Sequence, residues 1–245
     1  PAPRLRVAML LYAGNSANKL TQSMLEIARA QPANTDLAVF AARPDGLADD
    51  GFTRHLPFPV EFTATEVEAE ERLRQALAGG RFDYVVLFES SGMYRGDDAA
   101  ALVQYLAGGR LDAVWGSRRL SVRDIDVSFQ QRRAEGPFSR WLSRAGSHLL
   151  SAGYLLLYGR YLADTLSGVR AIRTPDAAGV PVPLTHKLVN QYLLGTLMRR
   201  RADLLEVPVQ FLPLSADRVH RTSVFEGLGS LGAIVRLAFS RRHVS

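Results

Sequence analysis

Short apolar runs alternate with amphipathic stretches along the first half of the chain. The runs at residues 6–13, 36–41, 82–89 and 111–117 are typical of buried strands. The stretches between them repeat apolar residues every three or four positions, which predicts helices at 15–30, 66–78 and 96–109, the last with Asp97 or Asp98 as its N-cap. Strands and helices that alternate in this way predict a parallel, doubly wound sheet with helices on both faces.

Three polar residues each stand at or just past the end of one of these strands. Asp45 follows the second strand, Glu89 ends the third and Arg118 follows the fourth. In doubly wound sheets, ligands bind beyond the carboxyl ends of the strands. The pattern therefore predicts that these three side chains lie at one edge of the sheet and line a ligand site there.

The second half of the chain has a different pattern. It predicts helices at 137–161 and 186–201, a strand at 204–212, and a segment at 224–242 that is apolar on one side and carries Arg236, Arg241 and Arg242. No repeat or low-complexity linker divides the chain. We therefore expect a single domain over residues 1–245, with an N-terminal half at 1–120 and a C-terminal half at 121–245.

Composition narrows the functional classes. The chain has 245 residues, of which 47% are hydrophobic and 22% charged, as in soluble globular proteins. It has no cysteine, which excludes disulfides, thiolate metal sites and cysteine nucleophiles. No apolar run approaches the roughly 18 residues that a membrane-spanning helix needs.

The net charge is +6, and all but two of the 30 basic residues are arginine. The guanidinium fork pairs with phosphate at two points, so this bias is compatible with phosphate-bearing partners. A GC-rich genome, which spells basic residues as arginine, explains it equally well. The basic residues are dispersed and not interleaved with aromatic ones, which argues against a nucleic-acid partner.

Several segments resemble, in order and spacing, the family-two glycosyltransferases of GT-A fold. They are DYVVLFESSGMYRGDD at 83–98, LDAVWGSRRL at 111–120, ADTLSGVRAI at 163–172, LLEVPVQF at 204–211 and DRVHRTS at 217–223. The likeness is strongest to members with a polyprenol phosphate acceptor, such as dolichol-phosphate mannose synthases. It implies an α/β, GT-A fold with a Rossmann-like, mostly parallel central sheet and helices on both faces.

One motif of this family is degenerate here. Family members carry Asp-x-Asp after the third strand, where it holds a divalent metal against the donor diphosphate. The aligned residues here are Glu89, Ser90 and Ser91, so one carboxylate remains and a hydroxyl replaces the other. Glu89 is the candidate metal ligand, and the interpretation leaves open whether Mg²⁺ or Mn²⁺ binds weakly or not at all.

The resemblance also assigns candidate roles to individual residues. Asp45 would contact the nucleotide base, although a turn position before Gly46 explains it equally well. Glu89, Ser91 and Arg118 would contact the donor phosphates, and Asp164 the sugar or the acceptor. Four residues would bind the acceptor phosphate, namely Ser167, Arg170, Arg218 and Ser223. Of all these, Asp164, Arg170 and Arg218 are the catalytic candidates. Each arginine could instead form a solvated ion pair of little energetic consequence.

The function implied is transfer of a hexose from a nucleotide-sugar to a polyprenol phosphate or another lipid-linked acceptor, as in the synthesis of cell-envelope polysaccharides. The alternative is a GT-A-like domain that has lost catalysis and binds or scaffolds within a larger protein. The apolar and basic segment at 224–242 suits an interfacial helix on an anionic membrane, and equally suits a helix packed on the domain. A cytoplasmic protein in peripheral contact with the inner membrane face is therefore expected.

Overall fold

The computed structural model describes residues 4–12, 16–47, 51–108, 111–118, 137–186, 188–212 and 224–239. This part of the chain contains seven strands: β1 (Leu5–Tyr12), β2 (Thr35–Ala42), β3 (Val60–Thr63), β4 (Tyr84–Glu89), β5 (Ala113–Ser117), β6 (Val169–Arg173) and β7 (Leu204–Pro208). Its α-helices are α1 (Ala17–Ala30), α2 (Glu66–Ala78), α3 (Gly96–Gly108), α4 (Pro137–Tyr158), α5 (Thr174–Ala178), α6 (Val189–Arg199) and α7 (Val224–Phe239).

The seven strands form one sheet in the order β3-β2-β1-β4-β6-β5-β7. All neighbouring pairs are parallel except those of β6, which runs antiparallel to β4 and β5. The prediction of a mostly parallel sheet is thus confirmed, and the strand that departs from it, β6, lies in the second half of the chain. Because β6 runs in the opposite direction, it starts at the edge where the parallel strands end, and the segment before it lies there too.

Helices cover both faces of this sheet, as predicted. The central strands are buried on both sides, which explains why they read as continuous apolar runs. Alternate residues of β1 illustrate this: Val7 and Met9 pack in one core with α1 and α3, while Ala8 and Leu10 pack in the other with α2, α4 and α6. No helix among the described residues is long and apolar enough to cross a membrane.

The sequence pattern missed two strands, β3 and β6. Strand β3 has four residues and none of them is buried, so it carries little apolar signal. Strand β6 reads VRAIR, and its two arginines interrupt the apolar run although four of its five residues are buried. The helix expected at 186–201 starts only at Val189, and the strand expected at 204–212 ends at Pro208.

Asp98 is not the N-cap of α3, because the helix already starts at Gly96. Its carboxylate instead accepts a hydrogen bond from the Gln210 backbone N–H at 3.0 Å, which ties the first turn of α3 to the segment after β7. Asp98 is only 9% exposed. Burial raises the pKa of Asp98 to about 6, against hydrogen bonds that lower it.

We expect Asp98→Asn to stabilise the protein at neutral pH. A carboxyl whose pKa is higher in the folded than in the unfolded chain contributes stability below the unfolded pKa of about 4 and loses it as the pH rises through about 6. Asparagine keeps the acceptor for Gln210 without the buried charge. Urea unfolding near pH 7.5 should show a gain of about 1 kcal/mol for the variant, and the gain should vanish near pH 4. An equal gain in the free energy of unfolding for the exposed Asp97→Asn would contradict this account. So would a gain for Asp98→Asn that is the same at both pH values.

Candidate active site

The structure places Asp45, Glu89 and Arg118 at the same edge of the sheet. They follow or end β2, β4 and β5, which all run in the same direction. Within this edge, Asp45 stands apart from the other two, because β1 separates β2 from β4. Asp45 is exposed and precedes Gly46, whose φ of 76° is that of a tight turn.

Arg118 and Asp164 form a buried ion pair at this edge. The Arg118 Nε and Nη2 atoms donate to Asp164 Oδ2 and Oδ1 at 2.6 and 2.7 Å, and the Arg118 backbone N–H donates to Oδ2 at 3.1 Å. The side chains are 18% and 1% exposed, respectively. Burial works against the charge of Arg118, but Asp164, then Tyr94 and Glu89, raise its pKa above the ordinary value. The pair is therefore a fixed structural unit rather than two independent ligands.

The segment that carries Asp164 is held by Glu206 from β7. The Glu206 carboxylate accepts hydrogen bonds from the backbone N–H groups of Ala163 and Asp164, at 3.0 to 3.1 Å. The Trp115 indole N–H donates to the Asp164 carbonyl at 3.0 Å. Asp164 is thus positioned by side chains from β5 and β7, which are neighbours in the sheet. Sequence reasoning missed Glu206, which lies inside the quoted LLEVPVQF segment.

Glu89 differs from Asp164 because its carboxylate forms no hydrogen bond or ion pair with a described residue. It lies against Gly168, where an added Cβ would stand 2.6 Å from Glu89 Oε2 and 2.7 Å from a Tyr94 ring carbon. The backbone joins the two residues as well, because the Glu89 N–H donates to the Gly168 carbonyl at 3.0 Å. Only glycine fits at position 168, and its bare Cα leaves space for an unpaired carboxylate.

Tyr94 completes this side of the site. Its hydroxyl oxygen accepts a hydrogen bond from the Gly168 backbone N–H at 2.9 Å. Burial raises the pKa of Tyr94 to about 12, so the phenol stays protonated at neutral pH. Its ring also packs edge-on against Phe211, and the Arg118 guanidinium lies 5.1 Å from the centre of the Phe211 ring. No pattern in the sequence singled out Tyr94 or Gly168, apart from their place in the quoted motifs.

A tight turn follows Glu89. The Ser90 N–H and hydroxyl both donate to the Tyr12 carbonyl, at 3.0 and 2.7 Å, which fixes the start of the turn to β1. The Ser91 hydroxyl oxygen accepts from the Met93 N–H at 3.4 Å. Ser91 therefore closes the turn on itself in this structure, and its predicted contact with donor phosphates stays a prediction.

Arg170 lies beneath the edge, on β6. It is 4% exposed, and its guanidinium lies 5.8 Å from the centre of the Tyr12 ring and 5.9 Å from that of Trp115. Its Nη1 donates to the Ser167 carbonyl at 2.8 Å and its Nη2 to the Tyr12 hydroxyl at 3.4 Å. Among the described side chains no carboxylate pairs with Arg170, and its Nε has no hydrogen-bond partner. A buried cation without a counter-ion favours an anionic ligand.

Ser167 and Asn190 line the surroundings of Arg170. Ser167 is fully buried, and its hydroxyl donates to the Val169 carbonyl at 3.3 Å. Asn190 Nδ2 donates to the Ser167 carbonyl at 3.0 Å, while its buried Oδ1 has no partner. Ser167 thus holds its own segment, and Asn190, which sequence reasoning missed, has an acceptor left for a ligand or water.

The loop between α5 and α6 lies on the far side of Tyr12 and is bound there by Glu70 of α2. The Glu70 carboxylate accepts from the Leu184 N–H at 2.7 Å and from the Thr185 N–H and hydroxyl at 3.1 and 3.0 Å. The Tyr12 hydroxyl donates to the Leu184 carbonyl at 2.6 Å. Burial raises the pKa of Tyr12 to about 12, whereas hydrogen bonds, first from Leu184, lower that of Glu70 despite its burial. This network connects α2 to the buried guanidinium of Arg170.

Two predicted residues, Arg218 and Ser223, lie outside the described residues. A metal site made by protein alone would need several acidic or histidine side chains together, and the described part of the chain has no such group of three. Glu89 does offer a carboxylate that no described residue occupies, and a phosphate-bound Mg²⁺ is usually held by one or two carboxylates plus substrate oxygens. The residues present therefore fit a metal only in partnership with a diphosphate.

No protein-family model and no curated protein sequence matches the chain. Its structure is similar to solved structures of glucosyl-3-phosphoglycerate synthase from Mycobacterium tuberculosis. The complex of that enzyme with UDP has a TM-score of 0.62 and 15% identity, over 98% of this chain and 82% of the other. The complex with Mn²⁺, UDP-glucose and phosphoglyceric acid has a TM-score of 0.63 and 16% identity, over 98% and 81%. The complex with Mn²⁺, UDP-glucose and glycerol 3-phosphate has a TM-score of 0.60 and 16% identity, over 98% of this chain and 82% of the other.

At this level of identity the likeness concerns the fold. It extends over nearly the whole chain, including the mixed sheet and the helices on both of its faces. The prediction of an α/β fold of GT-A type is confirmed.

Proposed function

We propose that the chain is a glycosyltransferase that moves a sugar from a nucleotide-sugar to a phosphate-bearing acceptor, with inversion at the anomeric carbon. The observation that carries the proposal is the Glu89 carboxylate, which pairs with none of the described residues and lies at the carboxyl edge of a GT-A sheet beside the Arg118–Asp164 pair. In α/β sheets this edge is where ligands bind. The solved structures of similar fold hold UDP or UDP-glucose, which supports a uridine nucleotide as the first donor to test.

The donor diphosphate would lie along this edge. Glu89 would hold a metal together with the diphosphate oxygens, and the metal would neutralise the charge that develops on the leaving nucleotide. Arg118 Nη1, which bonds no described residue, would donate to a phosphate oxygen while the rest of the guanidinium stays clamped by Asp164. Asp45 would contact the base from its turn. These groups need only to bind and orient, because sugar transfer to a charged oxygen requires little proton transfer.

The acceptor would enter on the Arg170 side. An acceptor phosphate oxygen attacks the anomeric carbon, the bond from that carbon to the diphosphate breaks, and the nucleoside diphosphate leaves. The buried guanidinium of Arg170 provides positive charge for an anionic acceptor. Arg218 and Ser223 complete the acceptor site in this proposal, and Ser167 supports it through its carbonyl.

We assign the acceptor to the polyprenol phosphate class, on the strength of the sequence resemblance. Helix α7 supports contact with a membrane: Val235 and Phe239 are exposed by 41% and 76%, and Arg236 beside them is exposed too. An apolar stripe next to basic residues binds an anionic lipid surface. In this proposal the protein works at the inner face of the membrane.

The test is a transfer assay with labelled UDP-, GDP- and dTDP-sugars, in Mn²⁺ and in a chelator. Each donor is offered polyprenol phosphate, phosphoglyceric acid or glycerol 3-phosphate. We expect a labelled lipid from polyprenol phosphate. A product from the small acceptors alone would reassign the acceptor and keep the enzyme class. Nucleotide binding without transfer or donor hydrolysis would favour the alternative, a binding domain that has lost catalysis.

A further inference from the structure

Lys19 lies across the turn that follows Glu89. It is the third residue of α1, and its side chain packs on Gly92, where an added Cβ would stand 3.1 Å from Lys19 Cδ and 3.2 Å from Cε. Gly92 has a φ of 85°, a conformation that side-chain-bearing residues rarely adopt. The bare Cα of Gly92 therefore provides both the turn geometry and the surface on which the lysine stem rests.

Within the described part of the chain, the charge of Lys19 is not compensated by a carboxylate. No described carboxylate pairs with its ammonium group, and the first turn of α1 contains no acidic residue. The turn beneath it, residues 90–93, reads Ser-Ser-Gly-Met and has no charge either. The ammonium group thus has no carboxylate partner among the described residues, and its stem lies on the turn at the carboxyl edge of β4.

The acidic groups near Lys19 can hold a metal ion only weakly, so the lysine charge is needed to offset a bound diphosphate. Both oxygens of Asp164 accept hydrogen bonds from Arg118, so among the described residues Glu89 is the carboxylate of this part of the edge that remains available. One carboxylate holds a divalent cation weakly, and a bound diphosphate carries more negative charge than such a site offsets. A lysine provides a compact positive charge with three hydrogen-bond donors. Unlike a metal ion, it is part of the chain and cannot leave the site.

We propose that Lys19 is a diphosphate-binding residue of the donor site, resting on Gly92 and contacting the phosphates of the nucleotide. This inference rests on the proposed function, since it assigns a further contact to the same donor. Its consequence is specific: nucleoside diphosphate binding should persist when divalent metal is removed, and it should then depend on Lys19.

The experiment compares Lys19→Met, Lys19→Arg and Arg29→Met by calorimetry in a chelating buffer, with UDP, GDP and dTDP and the matching monophosphates as probes. Methionine keeps an unbranched stem on Gly92 and removes only the charge. Arg29 is exposed near the end of the same helix, so its variant controls for a general loss of positive charge. Circular dichroism and thermal unfolding check that each variant is folded.

We expect Lys19→Met to weaken binding of the best diphosphate about tenfold, and binding of its monophosphate by about threefold or less. Lys19→Arg should retain most of the affinity and Arg29→Met all of it. Equal diphosphate affinity in Lys19→Met and the unchanged protein overturns the role of Lys19 but leaves the proposed function standing. Equal losses in Lys19→Met and Arg29→Met overturn it as well. If the unchanged protein binds none of the nucleotides, with or without Mn²⁺, the proposed function fails together with this inference.

Discussion

Replacing Glu89 by glutamine should lower the rate of sugar transfer about 100-fold and leave the fold intact, because within the described residues its charge acts on Arg118 and Tyr94 only at a distance. The carboxylate makes no hydrogen bond or ion pair with a described side chain, so its loss leaves none of the described groups without a bonding partner. The free energy of unfolding should therefore change by less than about 0.5 kcal/mol. Initial rates with and without Mn²⁺, together with urea unfolding, measure both quantities.

Two further variants make this result specific. Glu71→Gln makes the same chemical change at an exposed position of α2 and should leave the rate unchanged. Gly168→Ala keeps Glu89 but pushes a methyl group to within 2.6 Å of its Oε2. That variant should lose activity and also about 1–3 kcal/mol of stability through overpacking. Full activity in Glu89→Gln would remove the carboxylate from the mechanism.

The sequence could predict which residues reach the edge, because that depends only on where parallel strands end. The apolar runs marked β1, β2, β4 and β5, and the helix expected at 66–78 is observed as Glu66–Ala78. Thr65 caps that helix by accepting from the Glu68 N–H at 3.2 Å, a local contact that a local pattern can encode. Asp45, Glu89 and Arg118 follow from this framework directly.

The contacts between these residues could not be predicted in the same way. Arg118 and Asp164 are 46 positions apart, and they meet only because the antiparallel strand β6 starts at the edge where β5 ends. The arginines that hide β6 from an apolar pattern include Arg170, whose burial depends on the rings of Tyr12 and Trp115. The roles of Gly168 and Lys19 depend on contacts with residues that are distant in sequence, so no local pattern could predict them.

These long-range contacts divide the residues at the edge into two groups, those bonded within the protein and those left available for a ligand. The side chains of Arg118, Asp164 and Glu206 form hydrogen bonds with one another or with the backbone. The charged groups of Glu89 and Lys19 form none with described residues. The first group should therefore mainly determine stability, with Arg118 Nη1 as its one contact to the ligand, and the second should determine ligand binding.

Asp164→Ala should lower the free energy of unfolding by about 3–5 kcal/mol, because it leaves the Arg118 guanidinium buried without its partner. The carboxylate is 1% exposed and accepts three hydrogen bonds from Arg118. Urea unfolding at neutral pH measures the loss. Asp36→Ala is the matched control, since it breaks an Arg–Asp pair whose side chains are 72% and 55% exposed and should cost less than about 1 kcal/mol.

A double variant separates the ion pair from the loss of packing. In Asp164→Ala combined with Arg118→Met, neither charge remains, so the double variant should be less destabilised than the sum of the two single variants by at least about 1 kcal/mol. An additive result would mean that the two groups do not stabilise each other. In that case Arg118 would have to be described in the donor site as an independent cation that contacts the ligand by itself, and no longer as one half of a fixed ion pair.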